Sequence, residues 1–120
     1  MSARFEVRGD VGEITLASPP LNLFGRELIR DLDEAIDAAI GADIRALVLR
    51  ADGDHFSAGA DVHIFKGLSY DEAESLAVES IPLFEKFEKL PIPTIAVVQG
   101  LCIGAGFESA LACEIGRAHV

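Results

Sequence analysis

Two short segments carry residue types and spacing suited to chemistry at a carbonyl group. The first is His55-Phe56-Ser57-Ala58-Gly59-Ala60-Asp61, and the second is Gln99-Gly100-Leu101-Cys102-Ile103-Gly104-Ala105-Gly106-Phe107-Glu108. Each is a turn of small residues directly after a run that reads as a buried strand. Small side chains let backbone N–H groups approach a ligand closely, and a helix that starts there adds the positive end of its dipole. Side by side, two such turns can aim two N–H donors at one oxygen, which is what stabilising a developing oxyanion requires. Glu108 falls one turn into a helix whose other residues are Phe107, Ala110, Leu111 and Ala112. An apolar setting favours the protonated form of a carboxylate, so it can hold a proton or a water as a general acid or base does. Plainer readings fit the same residues: an ordinary tight turn at each segment, a helix N-cap at Asp61, a solvent-facing position at Glu108.

Other chemistries find less support. Gly104-Ala105-Gly106 begins like a dinucleotide fingerprint, but Ser109 stands where the third glycine belongs. The chain has no P-loop pattern, no GxSxG elbow and no HExxH. His55 and His63 lie across a loop with no third ligand at usable spacing, so neither a metal nor a bound cofactor is expected. Cys102 and Cys113 have apolar neighbours and no CxxC spacing, which reads as buried free thiols in a reducing compartment. A net charge of −10 with no basic stripe argues against nucleic acid as a partner. No apolar run is long enough to span a membrane and the first residues do not resemble a signal peptide, so a cytoplasmic location is expected.

The elements that must position these segments follow from periodicity. Phe5 and Val7, then Val11, Ile14 and Leu16, form two alternating stretches around Gly9-Asp10 and Gly12, a hairpin pattern ended by Pro19-Pro20. From Gly25 to about Ala42, Leu28, Ile29, Leu32, Ala35, Ile36, Ala39 and Ile40 recur at the spacing of one helix face. A strand follows over Ile44–Leu49, and the strand–helix–strand order predicts a largely parallel sheet with covered faces. Asp52-Gly53-Asp54 is then a loop at the strand's C-terminal edge, where open α/β folds bind ligands. Ser69 with Glu72 reads as a capping box for a helix with Ala73, Leu76, Ala77 and Ile81 on its apolar face, interrupted at Pro82. Thr94–Val98 is a second buried strand, and a third helix opens near Ile103–Ala105 and runs through Leu111.

At the two turns the sequence resembles the enoyl-CoA hydratase/isomerase (crotonase) family. Phe56-Ser57-Ala58-Gly59-Ala60-Asp61 is similar to that family's first oxyanion-hole signature. Pro93 to Gly100, followed by Gly104 to Glu108 and Ala110-Leu111-Ala112-Cys113, is similar to its second. Leu21-Asn22-Leu23-Phe24 falls where the family has an Asn-containing approach to the first helix. The resemblance runs from about Phe5 to Cys113. It implies an α/β fold, the N-terminal part of a crotonase-like (ClpP/crotonase) spiral of ββα units.

By the same resemblance, the backbone N–H groups of Ala60 and Ala105 are the oxyanion donors. Ala58, Ala60, Asp61, Val62, His63 and Ala105 line the acyl-CoA path, and Glu108 is the first catalytic carboxylate, activating the water. The implied activity is enoyl-CoA hydratase, adding water to 2-trans-enoyl-CoA thioesters in fatty-acid β-oxidation, with a homotrimer or hexamer as the full-length assembly. The alternatives are an isomerase or other enolate chemistry on the same hole, and a non-catalytic acyl-CoA-binding half-domain. Ala105 departs from the family's usual glycine; the donor survives, but its methyl group could crowd the carbonyl. The second glutamate of the family's hydratases falls beyond this chain.

After Cys113 the sequence leaves the family pattern. Glu114-Ile115-Gly116-Arg117-Ala118-His119-Val120 matches one reading frame of a common sequencing-library adapter. Residues 1–113 are therefore expected to be a partial crotonase-like domain, and 114–120 a non-native tail. As written, the fragment is expected to lack full hydratase activity.

Overall fold

Alternating apolar residues at the N-terminus pair into the expected hairpin. In the computed structural model, which describes residues 1–79, 81–113 and 115–119, strand β1 (Ala3–Arg8) runs antiparallel to β2 (Val11–Leu16), with Arg8 opposite Val11. Only Gly9 and Asp10 lie between them, and Gly9 takes the left-handed φ of 61° that such a short loop needs.

The amphipathic stretch forms helix α1 (Arg26–Ile40), between Gly25 and Gly41. It lays Leu28, Leu32, Ala35, Ile36 and Ala39 against the hairpin, each almost fully buried. Each fully buried Leu or Ile contributes about 1.5–3 kcal/mol relative to an exposed one. Ile40, counted with that face in the sequence, is instead 56% exposed in the helix's last turn.

The crossover through α1 returns the chain as β3 (Ala46–Ala51), parallel to β2. Strand β4 (Thr94–Val98) adds in parallel to β3, and β5 (Ile115–His119) in parallel to β4, giving the order β1-β2-β3-β4-β5. Because β3 and β4 are parallel neighbours, the turns that follow them emerge at the same edge of the sheet.

Between β3 and β4 the chain makes a 3-10 turn (Val62–Phe65), helix α2 (Tyr70–Glu79) and helix α3 (Ile81–Glu88). Ser69 caps α2 as expected, its hydroxyl accepting from Glu72 N–H at 3.2 Å. The expected interruption at Pro82 falls beside Ser80, which lies outside the described residues. Pro82 stands in the first turn of α3, where its missing N–H deprives the helix of nothing. Ile81 accordingly belongs to α3 and is 51% exposed, while the side chains of Leu76 and Ala77 lie outside the described residues.

Helix α3 reaches the core through Leu83, Phe87 and a tilted contact of Phe84 with Phe24, ring centroids 6.3 Å apart. Lys86 adds ion pairs to Asp33 and Asp37 on α1, at 2.7 and 2.6 Å. Their hydrogen bonds push the lysine's pKa up, but the groups are part-exposed and the contribution to stability is small. No helix among the described residues is long and apolar enough to cross a membrane.

Helix α4 (Ala105–Leu111) precedes Cys113, whose thiol is buried and pushed up to about 12, against the smaller opposing effect of a hydrogen bond with Thr94. A thiol kept protonated by the fold, but free to ionise once unfolded, stabilises the fold fully below the unfolded value of about 8.5. That contribution then fades as pH climbs toward the folded value, by up to about 1.4 kcal/mol per pH unit. Urea denaturation above that unfolded value should therefore show the wild-type chain losing stability with pH faster than Cys113→Ala. Parallel pH profiles would contradict this assignment.

Candidate active site

The two small-residue segments lie side by side, joined backbone to backbone. Phe56 N–H donates to the Gln99 carbonyl (2.8 Å), Ser57 N–H to the Leu101 carbonyl (3.1 Å), and Ile103 N–H to the Ser57 carbonyl (3.1 Å). The last two make a parallel bridge between Ser57 and Cys102 that continues the β3–β4 pairing past the ends of both strands. Gly106 sets how closely they pack. A Cβ there would sit 2.6 Å from the Ser57 Cβ and 2.9 Å from its carbonyl oxygen.

A second bridge, between Phe24 and Ala60, fixes the far end of the first turn. Phe24 N–H donates to the Gly59 carbonyl (2.8 Å), and Asp61 N–H to the Phe24 carbonyl (3.0 Å). A trans peptide is planar, with its C=O and N–H pointing opposite ways. Holding the Gly59 carbonyl toward Phe24 therefore turns the Ala60 N–H away from Phe24. Ala105 is placed by the same logic. Glu108 N–H captures the Gly104 carbonyl (2.9 Å) down the helix, so the Ala105 N–H points out of the N-terminus of α4.

Neither the Ala60 nor the Ala105 N–H donates to an acceptor among the described residues. The two segments are also close: a Cβ on Gly59 would lie 3.7 Å from the Ala105 nitrogen. Such an arrangement can offer two donors to one acceptor atom. Both donor peptides carry a hydrogen bond on their own carbonyl, which polarises the N–H further.

The remaining sequence candidates sit along this edge. Ala58 N–H donates to the Leu21 carbonyl (2.9 Å). Asp61 acts as the cap that the plainer reading expected, its Oδ1 accepting from His63 N–H at 3.1 Å. Val62 and His63 are exposed on the 3-10 turn. Asp61 also lines a cavity of about 370 Å³ with Leu23, Gly25, Arg26 and Ile64, beside the first turn of α1.

Glu108 requires a correction. Helix α4 buries Gly106, Ser109 and Ala110, and Gly106 makes the close approach to the first turn. Glu108 is on the outward side, exposed with Phe107 and Leu111, so the described residues do not form the apolar enclosure expected around it. It remains one turn from the Ala105 donor on a common helix.

Two residues whose part in the site the sequence reading missed hold the first turn from behind. Asn22 is fully buried with φ 45°, a left-handed conformation that Asn tolerates better than most residues. Its Nδ2 donates to the Asp52 carbonyl (3.0 Å) and the His55 carbonyl (2.9 Å), and its Oδ1 accepts from Ser18 N–H (2.8 Å). Ser57, equally buried, donates its hydroxyl to the Asn22 carbonyl (2.8 Å) and accepts from Gly59 N–H (3.1 Å). His55 Nδ1 accepts from Leu101 N–H (3.0 Å). Gln99 Nε2 donates to the Ala51 and Gly53 carbonyls, tying the second segment to the loop after β3. Arg4 anchors the start of that loop by pairing with Asp52 (2.9 Å), a hydrogen bond that holds the Asp52 carboxyl below its ordinary range.

Comparison with known proteins shows the family and the fold. The family model described as enoyl-CoA hydratase/isomerase matches residues 6–118. The chain is 35% identical over 107 residues to a probable enoyl-CoA hydratase of Bacillus subtilis (strain 168), an alignment covering 88% of this chain and 42% of that protein. It superposes on the enoyl-CoA hydratase from Thermoplasma volcanium GSS1 with a TM-score of 0.91 at 31% identity, covering 99% of this chain and 48% of that one. Against DspI of Pseudomonas aeruginosa the TM-score is 0.89 at 32% identity, over 98% of this chain and 45% of that one. The chain thus spans less than half the length of these relatives.

The closeness of the two turns makes Gly106→Ala an informative substitution. The added methyl has no room against the Ser57 backbone, and a loss of about 1–3 kcal/mol is expected. Gly41→Ala, with only ordinary contacts at 3.8 Å and beyond, should leave stability unchanged or raise it by up to about 1 kcal/mol. Urea denaturation of both variants checks the contrast, and equal effects would contradict the packing described.

Proposed function

The chain belongs to the enoyl-CoA hydratase/isomerase family, and on that premise we propose that the complete protein hydrates 2-trans-enoyl-CoA thioesters in fatty-acid β-oxidation. The observation carrying this reading is the pair of unpartnered N–H groups, Ala60 and Ala105, on adjacent turns with Glu108 one helical turn behind the second. The thioester carbonyl oxygen would accept from both N–H groups. Glu108 would hold a water and take its proton as the oxygen attacks the β-carbon. The electron pair then moves onto the carbonyl oxygen as an enolate, where the two donors favour the transition state over the ground state. Protonation of the α-carbon completes the reaction, and the resemblance assigns it to a second glutamate about twenty residues further on, a general acid outside this chain.

Ala58, Asp61, Val62 and His63 would border the coenzyme A arm of the substrate, which is reactant, not cofactor. Ala105 keeps the donor, because only its backbone N–H is used, and its methyl group would narrow the room beside the carbonyl. We further propose that residues 114–120 are not encoded by the source gene, that the complete protein assembles as a trimer or hexamer, and that it works in the cytoplasm.

One experiment addresses the activity. The source locus is sequenced through the codons for residues 112–120 and beyond, and the uninterrupted protein is expressed and assayed by loss of enoyl thioester absorbance. Glu108→Gln should lower kcat by about 10²–10⁴. Migration of the double bond without water addition would assign the isomerase chemistry. Binding without turnover would assign the non-catalytic acyl-CoA-binding role. A gene that encodes the same seven residues and then stops would contradict both the hydratase reading and the proposed tail.

A further inference from the structure

Ser57 belongs to neither the donors nor the carboxylate, yet it is fully buried beneath the first turn with both hydrogen-bonding functions of its hydroxyl in use. Its O–H is committed to the Asn22 carbonyl, which leaves a lone pair facing Gly59 N–H. Gly59 is itself buried at φ 99°, a conformation open in practice only to glycine, so nothing intrinsic to the backbone confines it there. Two external bonds do so: Ser57 Oγ on the Gly59 N–H and Phe24 N–H on the Gly59 carbonyl. The next peptide nitrogen is the Ala60 donor.

We propose that Ser57 is a positioning residue, its hydroxyl relaying the fixed Asn22 carbonyl to Gly59 and thereby setting the direction of the Ala60 N–H. This rests on the reading of Ala60 and Ala105 as paired oxyanion donors. The relay has a physical reason to exist. A donor aimed at developing charge helps only if its direction is set before the charge appears, and the hydrogen-bond geometry tolerates little error. Asn22 is suited to anchor it, because its side chain is saturated by Ser18, Asp52 and His55 and cannot swing away. Removing the hydroxyl leaves Gly59 N–H buried without a partner, and the Gly59–Ala60 segment is then free to turn toward another acceptor.

The test uses para-dimethylaminocinnamoyl-CoA, a push–pull thioester whose absorption moves to longer wavelength as its carbonyl accepts hydrogen bonds. Bound to the uninterrupted wild-type protein it should show that displacement. Ser57→Ala should retain less than about half of it, while the dissociation constant changes by less than about threefold, because one donor of two is misdirected and the coenzyme A contacts are untouched. A merely structural role would lower stability and leave the bound spectrum alone. A full displacement in Ser57→Ala overturns the relay and leaves the paired donors standing. No displacement in the uninterrupted wild-type protein overturns the paired donors and the relay with them. Should Ser57→Ala fail to fold, amide exchange in the unliganded wild-type chain decides: a protected Gly59 amide beside an unprotected Ala60 amide supports the relay, and a freely exchanging Gly59 amide overturns it.

Discussion

Parallel pairing of β3 with β4 is the constraint from which the site follows. Parallel strands finish at the same edge, so the segments after Ala51 and Val98 start as neighbours although more than forty residues of chain separate them. The pairing then continues beyond both strands as the Ser57–Cys102 bridge. Without it the two small-residue turns would be independent loops, each with exposed N–H groups solvated by water. With it, the first turn and the start of α4 are a single backbone-bonded unit. The crossover through α1 matters because it makes β2 and β3 parallel and leaves the far edge of β3 open to β4.

Around that pairing the polar groups are satisfied with unusual economy of residues. Asn22, Ser57, His55 and Gln99 tie the 52–59 loop, the 18–24 loop and the second turn together, largely through backbone carbonyls and N–H groups. Among the described residues no buried side-chain nitrogen or oxygen lacks a partner. A fully satisfied polar cluster specifies one arrangement, since any shift would strand a donor or acceptor at a cost of about 1–3 kcal/mol. The backbone N–H groups of Ala60 and Ala105 have no acceptor among the described residues. They are the groups that a bound oxygen would complete.

What was legible in the sequence was what depends on local pattern. Apolar spacing located α1, alternation located the hairpin, and short branched runs located β3 and β4, although β3 starts at Ala46 and not at Ile44. Runs of Gly, Ala and Ser marked both turns, because close backbone approach admits little else. The illegible part lies in partnerships across long sequence separation. Asn22 bonds residues thirty and thirty-three positions away, and a lone Asn in a loop has no periodicity to announce that. Ser57 looked like one more small residue of a turn. Glu108 misled for a related reason. The large apolar residues Phe107 and Leu111 suggested a buried surround, but α4 buries Gly106, Ser109 and Ala110, with Gly106 close against Ser57, and leaves the glutamate outward.

The central claim is that Ala60 and Ala105 present their N–H groups to one and the same oxygen. The most direct test is a titration of the nitrogen-15-labelled chain with acetoacetyl-CoA, whose thioester carbonyl carries enolate character, followed by amide NMR. Both amide protons should move downfield together, along curves with a single dissociation constant, and both displacements should shrink when coenzyme A without the acyl group is used. Movement of only one of the two amides, or of neither while the 58–63 segment responds, would contradict the account.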